Sequence, residues 1–502
     1  MEDNISKKYI GKREFRSFTF GALGQGMIYA TMSGFISDYY INVLGLSAWF
    51  VFWLMLLARV WDAINDPLMG VIIDKTTTKR GKMKPYIIYT AVPIAILTFL
   101  MYYCPDILKG NSGRVMVYCS VVYVLWGMIY TVSDVPFWSL PNMMTPDPAE
   151  RGSIISIGRT LNGVGSAVPT VLFAVLGFLL PMIMDANSES FESTKYIIIA
   201  IFCSVIGIIP FVNSYFHIKE RVNIPPKQKT PGNGSLKRIF TCKPLMMVVI
   251  MGILSSGRYL MQGAAVHVAR YAFLPANAAS LSAAELADAI SKNTSLVFTL
   301  LQACSAIGMF GSMVFMPALI KKFSYKNIVI VTCLAGFAAS IVTTCVGYFL
   351  NNIYACIPFI FLQCVPLGVL NVVSYAMIGD SLDFMEWETC YRDTALGSAC
   401  QSFVNKLGNA LSTSGICLMY IVAKIDINKM VGSGAASAQI AMSLSDAQRF
   451  SMFSLISIIP GISLLLCAIP IFFYDLTGAK KEKITRELAE QRAAMGITIE
   501  AD

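Results

Sequence analysis

Twelve apolar runs, each long enough to cross a bilayer, constrain this 502-residue chain more than any other feature. A helix needs about 20 such residues to span a hydrocarbon core roughly 30 Å thick. The runs fall at 17–41, 46–74, 86–104, 114–143, 153–184, 196–216, 244–272, 295–320, 327–350, 353–379, 393–424 and 448–474. Between the sixth and seventh lies the polar stretch "HIKERVNIPPKQKTPGNGSLKRIFTCK", whose Pro, Gly and basic residues suit a solvated linker. The expected architecture is an all-α membrane protein: a six-helix bundle over 1–216, a cytoplasmic linker over 217–243, a second six-helix bundle over 244–474 and a cytoplasmic tail over 475–502. With 56% hydrophobic and 14% charged residues, most of the surface must meet lipid.

Orientation follows from Lys and Arg, which are retained on the cytoplasmic side of short loops. One side carries Lys7, Lys8, Lys12, Arg13 and Arg16, then Lys75, Lys79, Arg80, Lys82 and Lys84, then Lys321, Lys322 and Lys326 and the tail "AKKEKITRELAEQRAAMG". The other side is poor in them, as "DANSESFESTK" and "PANAASLSAAELADAISKN" show. Both termini are therefore expected in the cytoplasm, with the protein in the cell membrane. The net charge of +9 is mostly a topology signal, and no basic stripe with interleaved aromatics points to nucleic acid.

No cleavable leader is expected, because the first residues are charged and the first apolar run is long enough to span. The thirteen cysteines stand singly, without a CxxC pair or Cys/His ligand spacing, and read as buried thiols. His217 and His267 are too few for a metal site. Neither a Gly-rich phosphate loop nor a nucleophile elbow occurs, so an ATP-driven pump, a hydrolase or any other enzyme is not expected, and no cofactor is implied.

Within this apolar background, "ARVWDAINDPLMG" sets Asp62 and Asp66 four residues apart in the second run. An ionised carboxylate at membrane depth costs several kcal/mol unless it meets a partner, water or a cation. At i and i+4 the two acids share one helix face. Asn65 adds a carbonyl ligand, and Arg59 precedes Asp62 by three residues and can hold part of the charge. Two carboxylates and an amide oxygen are hard ligands suited to Na⁺, Li⁺ or a proton. A buried ion-pair cluster is the other reading, but Arg59 alone cannot neutralise both acids.

In the fourth run, "YTVSDVPFWSL" places Thr131, Asp134 and Trp138 on one helical face. A hydroxyl, a carboxylate and an indole suit a polar solute containing a ring: the acid accepts from hydroxyls and the indole stacks on the ring's apolar face. Trp138 by itself also fits an interfacial anchor. Cations stand in other runs: Arg159 in the fifth, Arg258 and Arg270 in the seventh, and Lys406 in "CQSFVNKLGNALS" of the eleventh. Arg270 is expected to snorkel at a helix end. Arg159 and Lys406 lie deeper and are expected to pair with an acid or a bound anion.

Five stretches resemble, in order, those of the glycoside-pentoside-hexuronide:cation symporters of the major facilitator superfamily, whose familiar member is the melibiose carrier. They are "ARVWDAINDPLMG", "DKTTTKRGKMKP", "YTVSDVPFWSL", "GDSLDFMEWETCYRDTALG" and "FFYDLTGAKKEKI", and the resemblance covers almost the whole chain. It implies a major facilitator fold and a cation site at Asp62, Asn65, Asp66 and Thr131, with Na⁺ between the two acids. It implies a solute site at Asp134, Trp138, Arg159, Ser402 and Lys406, with a Ser where relatives often carry a Thr. Gly70, Asp74, Lys75, Arg80 and Gly81 resemble the superfamily's cytoplasmic signature, a conformational switch that latches and releases the two halves.

One stretch departs from the family: "GALGQG" stands where sugar-transporting relatives have a "GAFGKD"-like segment, so Gln25 and Gly26 replace a Lys and an Asp. The missing Asp accepts from sugar hydroxyls in those relatives, which predicts that Gly26→Asp restores an acceptor. Arg258 is an additional cation that favours an anionic or bulkier solute such as a glucuronide. The sequence thus reads as a monomeric symporter coupling Na⁺, H⁺ or Li⁺ influx to uptake of a glycoside, hexuronide or related solute. A non-transporting sensor on a transporter fold is the alternative, weakened because four intact cation ligands serve no purpose in a sensor.

Overall fold

The computed structural model describes residues 9–75, 78, 81–108, 110–145, 148–185, 188, 190–221, 241–275, 278–350, 352–389, 394–425 and 437–494. Six long helices precede the linker: α1 (Lys12–Asp38), α2 (Ala48–Lys75), α3 (Lys84–Met101), α4 (Ser112–Met144), α5 (Pro148–Leu179) and α6 (Ser190–His217). After it come α7 (Lys243–Leu254), α8 (Leu260–Gly263), α9 (Ala265–Tyr271), α10 (Ala283–Lys322), α11 (Tyr325–Leu350), α12 (Ile353–Thr389) and α13 (Thr394–Val422). The chain ends with α14 (Ser437–Ser443), α15 (Asp446–Ser454), α16 (Ile458–Phe472) and α17 (Gly478–Ala494). Among the described residues nine segments are long and apolar enough to cross a membrane by length and composition.

The helices match the apolar runs, and local chemistry sets their ends. Asn111 caps α4 by accepting from the amides of Gly113 and Arg114 at 3.0 and 3.2 Å. Hydrophobicity alone starts the eighth span at 295, yet α10 begins at Ala283. The run "AAELADAISKN" lacks hydrophobicity, but its Ala, Glu and Leu favour helix and Ser282 pairs with Glu285 at the start.

The seventh run, expected as one span over 244–272, is a broken helix with a 3₁₀ turn at Ser255–Tyr259 between α7 and α8. Ser463 of α16 satisfies the interruption. Its hydroxyl donates to Leu254 O at 2.5 Å and accepts from Gly257 N at 2.9 Å. Freed backbone groups at membrane depth persist only with such partners.

By their contacts the residues form two compact units. The first comprises the chain to Gln228 with Leu274–Thr299 and Lys424–Leu444; the second comprises Lys229–Phe273, Leu300–Ala423 and Ser445 onward. In the first, Phe18 of α1 stacks on Phe137 of α4 with centroids 4.8 Å apart, within a core that includes Ile87, Leu140 and Phe211. Small residues let helix backbones meet there. A Cβ on Gly24 would lie 2.0 Å from Gly207 O of α6, and one on Gly165 of α5 would lie 2.0 Å from Leu23 O.

The second unit packs Leu245, Val329, Leu370, Val373 and Ile471 from α7, α11, α12 and α16. The helix α17, in the stretch expected only as a tail, docks on the end of α12. Lys481 Nζ lies 2.6 Å from Asp380, and Trp387 Nε1 donates to Glu487 at 2.9 Å, while Ile484 and Leu488 are buried.

Candidate functional site

Asp62 of α2 faces α4. Asp62 Oδ2 accepts from Arg59 Nη1 at 3.1 Å, while Asp62 Oδ1 lies 3.6 Å from where a Cβ on Gly127 of α4 would stand. Gly127 is one turn before Thr131, which is 5% exposed. One carboxylate oxygen is thus held by the guanidinium, and the other points to the helix that carries Thr131. The Asn65 Nδ2 atom is buried without a hydrogen-bond partner among the described residues. Such an unpaired donor is costly, and an acceptor oxygen brought to it, from water or a solute, would relieve it. Asp66 follows Asp62 by one turn of α2, and its side chain lies outside the described residues.

Along α4, Asp134 gathers neutral donors. Gln25 Nε2 of α1 donates to Asp134 Oδ1 at 2.8 Å, and Tyr130 and Trp138 lie near the same carboxylate. Gln25 is 2% exposed, and its Oε1 is buried without a partner among the described residues. A small cavity bounded by Gln25, Tyr130, Ser133, Ile94 and Phe211 lies beside it. Arg159 of α5, largely exposed, stacks its guanidinium 3.7 Å from the Trp138 ring centroid, and Phe18 meets the same indole edge-on at 6.0 Å. The indole is therefore pinned between helices, a geometry an interfacial anchor does not require. Gln25 thus supplies Asp134 with a neutral donor.

Gly26 needs a correction. The expectation of an open acceptor position there meets helix packing: a Cβ on Gly26 would lie 2.1 Å from Asn162 O of α5, and Asn162 Nδ2 donates to Ala22 O at 3.0 Å. α5 fills the space that a side chain at position 26 would need.

In the second unit Arg258 is 3% exposed and sits in the 3₁₀ turn. Its Nη2 donates to Tyr259 Oη at 2.8 Å, that hydroxyl donates to Asn405 Oδ1 at 3.2 Å, and Nε and Nη1 have no partner among the described residues. Lys406 follows Asn405 on α13 and is half-buried. Ser402's side chain lies outside the described residues. Arg270, expected to snorkel, is instead 4% exposed.

Of the switch residues, Gly70, Asp74 and Lys75 fall on α2, with the side chains of Asp74 and Lys75 outside the described residues, as is Arg80 entirely. Gly81 is described, with φ of +111°, a backbone that favours glycine. Against it lies a group that sequence reasoning misses: the Glu220 carboxylate, 2.6 Å from where a Cβ would stand. Only its place just past the sixth span, in "HIKERV", could signal it.

With this geometry in hand, comparison with known proteins settles the family. A profile described as MFS/sugar transport protein matches residues 17–285 and 286–478. The chain belongs to the MFS/sugar transport family. It is 26% identical over 495 residues to an uncharacterized symporter, YjmB, of Bacillus subtilis (strain 168), covering 97% of each chain. It is 24% identical over 487 residues to a putative glycoside/cation symporter, YagG, of Escherichia coli (strain K12), covering 94% of each. Its fold is similar to the crystal structure of a D-xylose-proton symporter, with a TM-score of 0.60 at 12% identity, over 93% of this chain and 98% of that one. The expected major facilitator fold and the resemblance to glycoside-pentoside-hexuronide symporters hold. This family member is a multi-pass membrane transporter, not an enzyme.

Proposed function

We propose that this transporter is a secondary symporter that uses an inward cation gradient to accumulate a glycoside or hexuronide by alternating access. The observation that carries this reading is the arrangement on one face of α4. Asp62 approaches it at Gly127, and Thr131, Asp134 and Trp138 follow in successive turns, with Gln25 and Arg159 attached to the last two. The cation takes Asp62, Asn65, Asp66 and Thr131, with Na⁺ preferred for its hard oxygen ligands and H⁺ and Li⁺ as alternatives. The solute-binding candidates are Asp134, Trp138 and Arg159 of the first unit and, taken separately, Ser402, Lys406 and Arg258 of the second. Gln25 orients Asp134. Gly70, Asp74, Lys75, Arg80 and Gly81 form the switch, and both termini face the cytoplasm, with a monomer as the working unit.

Coupling has a simple electrostatic origin. The bare acid pair repels the neighbouring carboxylate of Asp134, and a bound cation removes that repulsion. Each ligand then raises affinity for the other by the same factor, typically worth about 1–3 kcal/mol. Purified protein in proteoliposomes, given Na⁺, Li⁺ or proton gradients and a panel of neutral glycosides and uronides, is expected to show gradient-driven accumulation of at least one. Uptake indifferent to every gradient would sink the symport reading.

Asp134→Asn is expected to lower solute affinity by about 10- to 100-fold, since a hydrogen bond to a charged group is worth roughly 1.5–3 kcal/mol. The asparagine keeps an oxygen for Gln25 Nε2, so the fold survives. Cation affinity should change far less. Equilibrium binding of each ligand to the variant checks this, and a collapse of cation affinity with solute affinity intact would merge or exchange the two sites.

A further inference from the structure

The residues just after α6 fasten three other parts of the first unit. Glu220 accepts backbone hydrogen bonds from Lys82, Met83 and Lys84 at 2.6, 2.9 and 2.9 Å. These amides stand at the start of α3, where the helix dipole also favours an anion. Arg221 donates through Nη2 to both oxygens of Glu14 at 2.9 and 2.8 Å, and its backbone amide donates to Met143 O at the end of α4 at 2.7 Å. Glu14 in turn accepts from Gly11 N at 3.1 Å, and Glu150 of α5 accepts from Ile10 N at 2.8 Å. Ile218 is fully buried beneath this mesh.

Gly81 is part of the same joint. Its positive φ turns the chain so that three successive amides converge on one carboxylate, and no side chain fits between them. The turn at Gly81–Lys84 is thus held from just past the end of α6, by a residue 136 to 138 positions later in the chain. A charged acceptor makes each of these bonds stronger than a neutral one.

We propose that Glu220 is a positioning residue for transport: it holds the Gly81–Lys84 turn in register and thereby sets the rate of the conformational cycle, touching neither solute nor cation. This rests on the reading of the chain as an alternating-access symporter. Removing the carboxylate takes away the acceptor that three amides share and loosens the turn, so the cycle slows while both binding sites keep their geometry.

The test compares wild type, Glu220→Gln and Glu220→Ala as purified full-length protein. Gradient-driven uptake per solute-binding site is expected to fall at least fivefold in Glu220→Ala and less in Glu220→Gln, which keeps one acceptor oxygen. Solute and cation dissociation constants should move less than twofold. Hydrogen exchange at the Lys82–Lys84 amides, followed by mass spectrometry without any solute, should accelerate at least tenfold in Glu220→Ala. Uptake per site unchanged, or falling only in proportion to solute affinity, would overturn the proposal. Unchanged amide exchange would overturn it independently of transport. If wild type moved no solute, the symport reading would fail, while the exchange measurement would still decide whether Glu220 holds the turn.

Discussion

Asp66→Cys is expected to abolish cation-stimulated uptake while leaving the protein in the membrane. The reason lies in how Asp62 is already used. Its Oδ2 is paired with Arg59 at 3.1 Å, so the charge of that carboxylate is offset before any cation arrives. A second full negative charge on the same face of α2 is needed to offset the dehydration of a small cation, and Asp66 is the residue at that spacing. A neutral thiol offers a soft ligand that Na⁺ does not favour. Binding energy of several kcal/mol is at stake, which makes this loss larger than that expected for Asp134→Asn. Uptake in vesicles with and without Na⁺, Li⁺ and acid external pH measures it. Stimulation retained at wild-type magnitude would remove Asp66 from the coupling site and leave Asp62 and Thr131 to account for it.

Gly26→Asp is expected to prevent folding rather than to restore a sugar acceptor. Its Cβ would stand 2.1 Å from Asn162 O, backbone that cannot swing aside as a side chain does. Overpacking of this kind typically costs about 1–3 kcal/mol, and the carboxylate would be buried between helices besides. A total of about 3 kcal/mol or more is a large fraction of ordinary stability. Gly26→Ala separates the causes, because it adds the Cβ without the charge and should already lower thermal stability. Melting of the detergent-solubilised variants reads both. If Gly26→Asp melts like wild type and binds a neutral galactoside more tightly, α1 and α5 do not approach as described.

The contrast between Gly26 and Asp134 shows what a sequence of this type discloses. Membrane depth makes charge expensive, so Asp62, Asp134 and Arg159 stand out in their apolar runs by residue type alone, and the fold brings Asp134, Trp138 and Arg159 together. Spans are legible for the same reason. Glycines are different: Gly26 has no side chain whose chemistry could be read, and its role depends on which backbone comes near. The break at Ser255–Tyr259 is hidden because its partner, Ser463, is over 200 residues away. Glu220 escapes notice because a carboxylate in a polar stretch costs nothing in water and therefore signals nothing. Gln25 reads as a loss of charge, yet its amide is the donor that Asp134 uses.

The docking of α17 has a consequence for biosynthesis. Asp380 meets Lys481 across 101 residues of chain, and Trp387 meets Glu487 across 100. At roughly 5–20 residues per second of synthesis, the end of α12 exists for about 5–20 seconds before its partners are made. Until then water must serve the Asp380 carboxylate and the Trp387 indole, groups that later pair with α17. A ribosome that stops short of residue 478 releases a chain that has the apolar run ending at 474 but whose α12 lacks the contacts of Lys481 and Glu487.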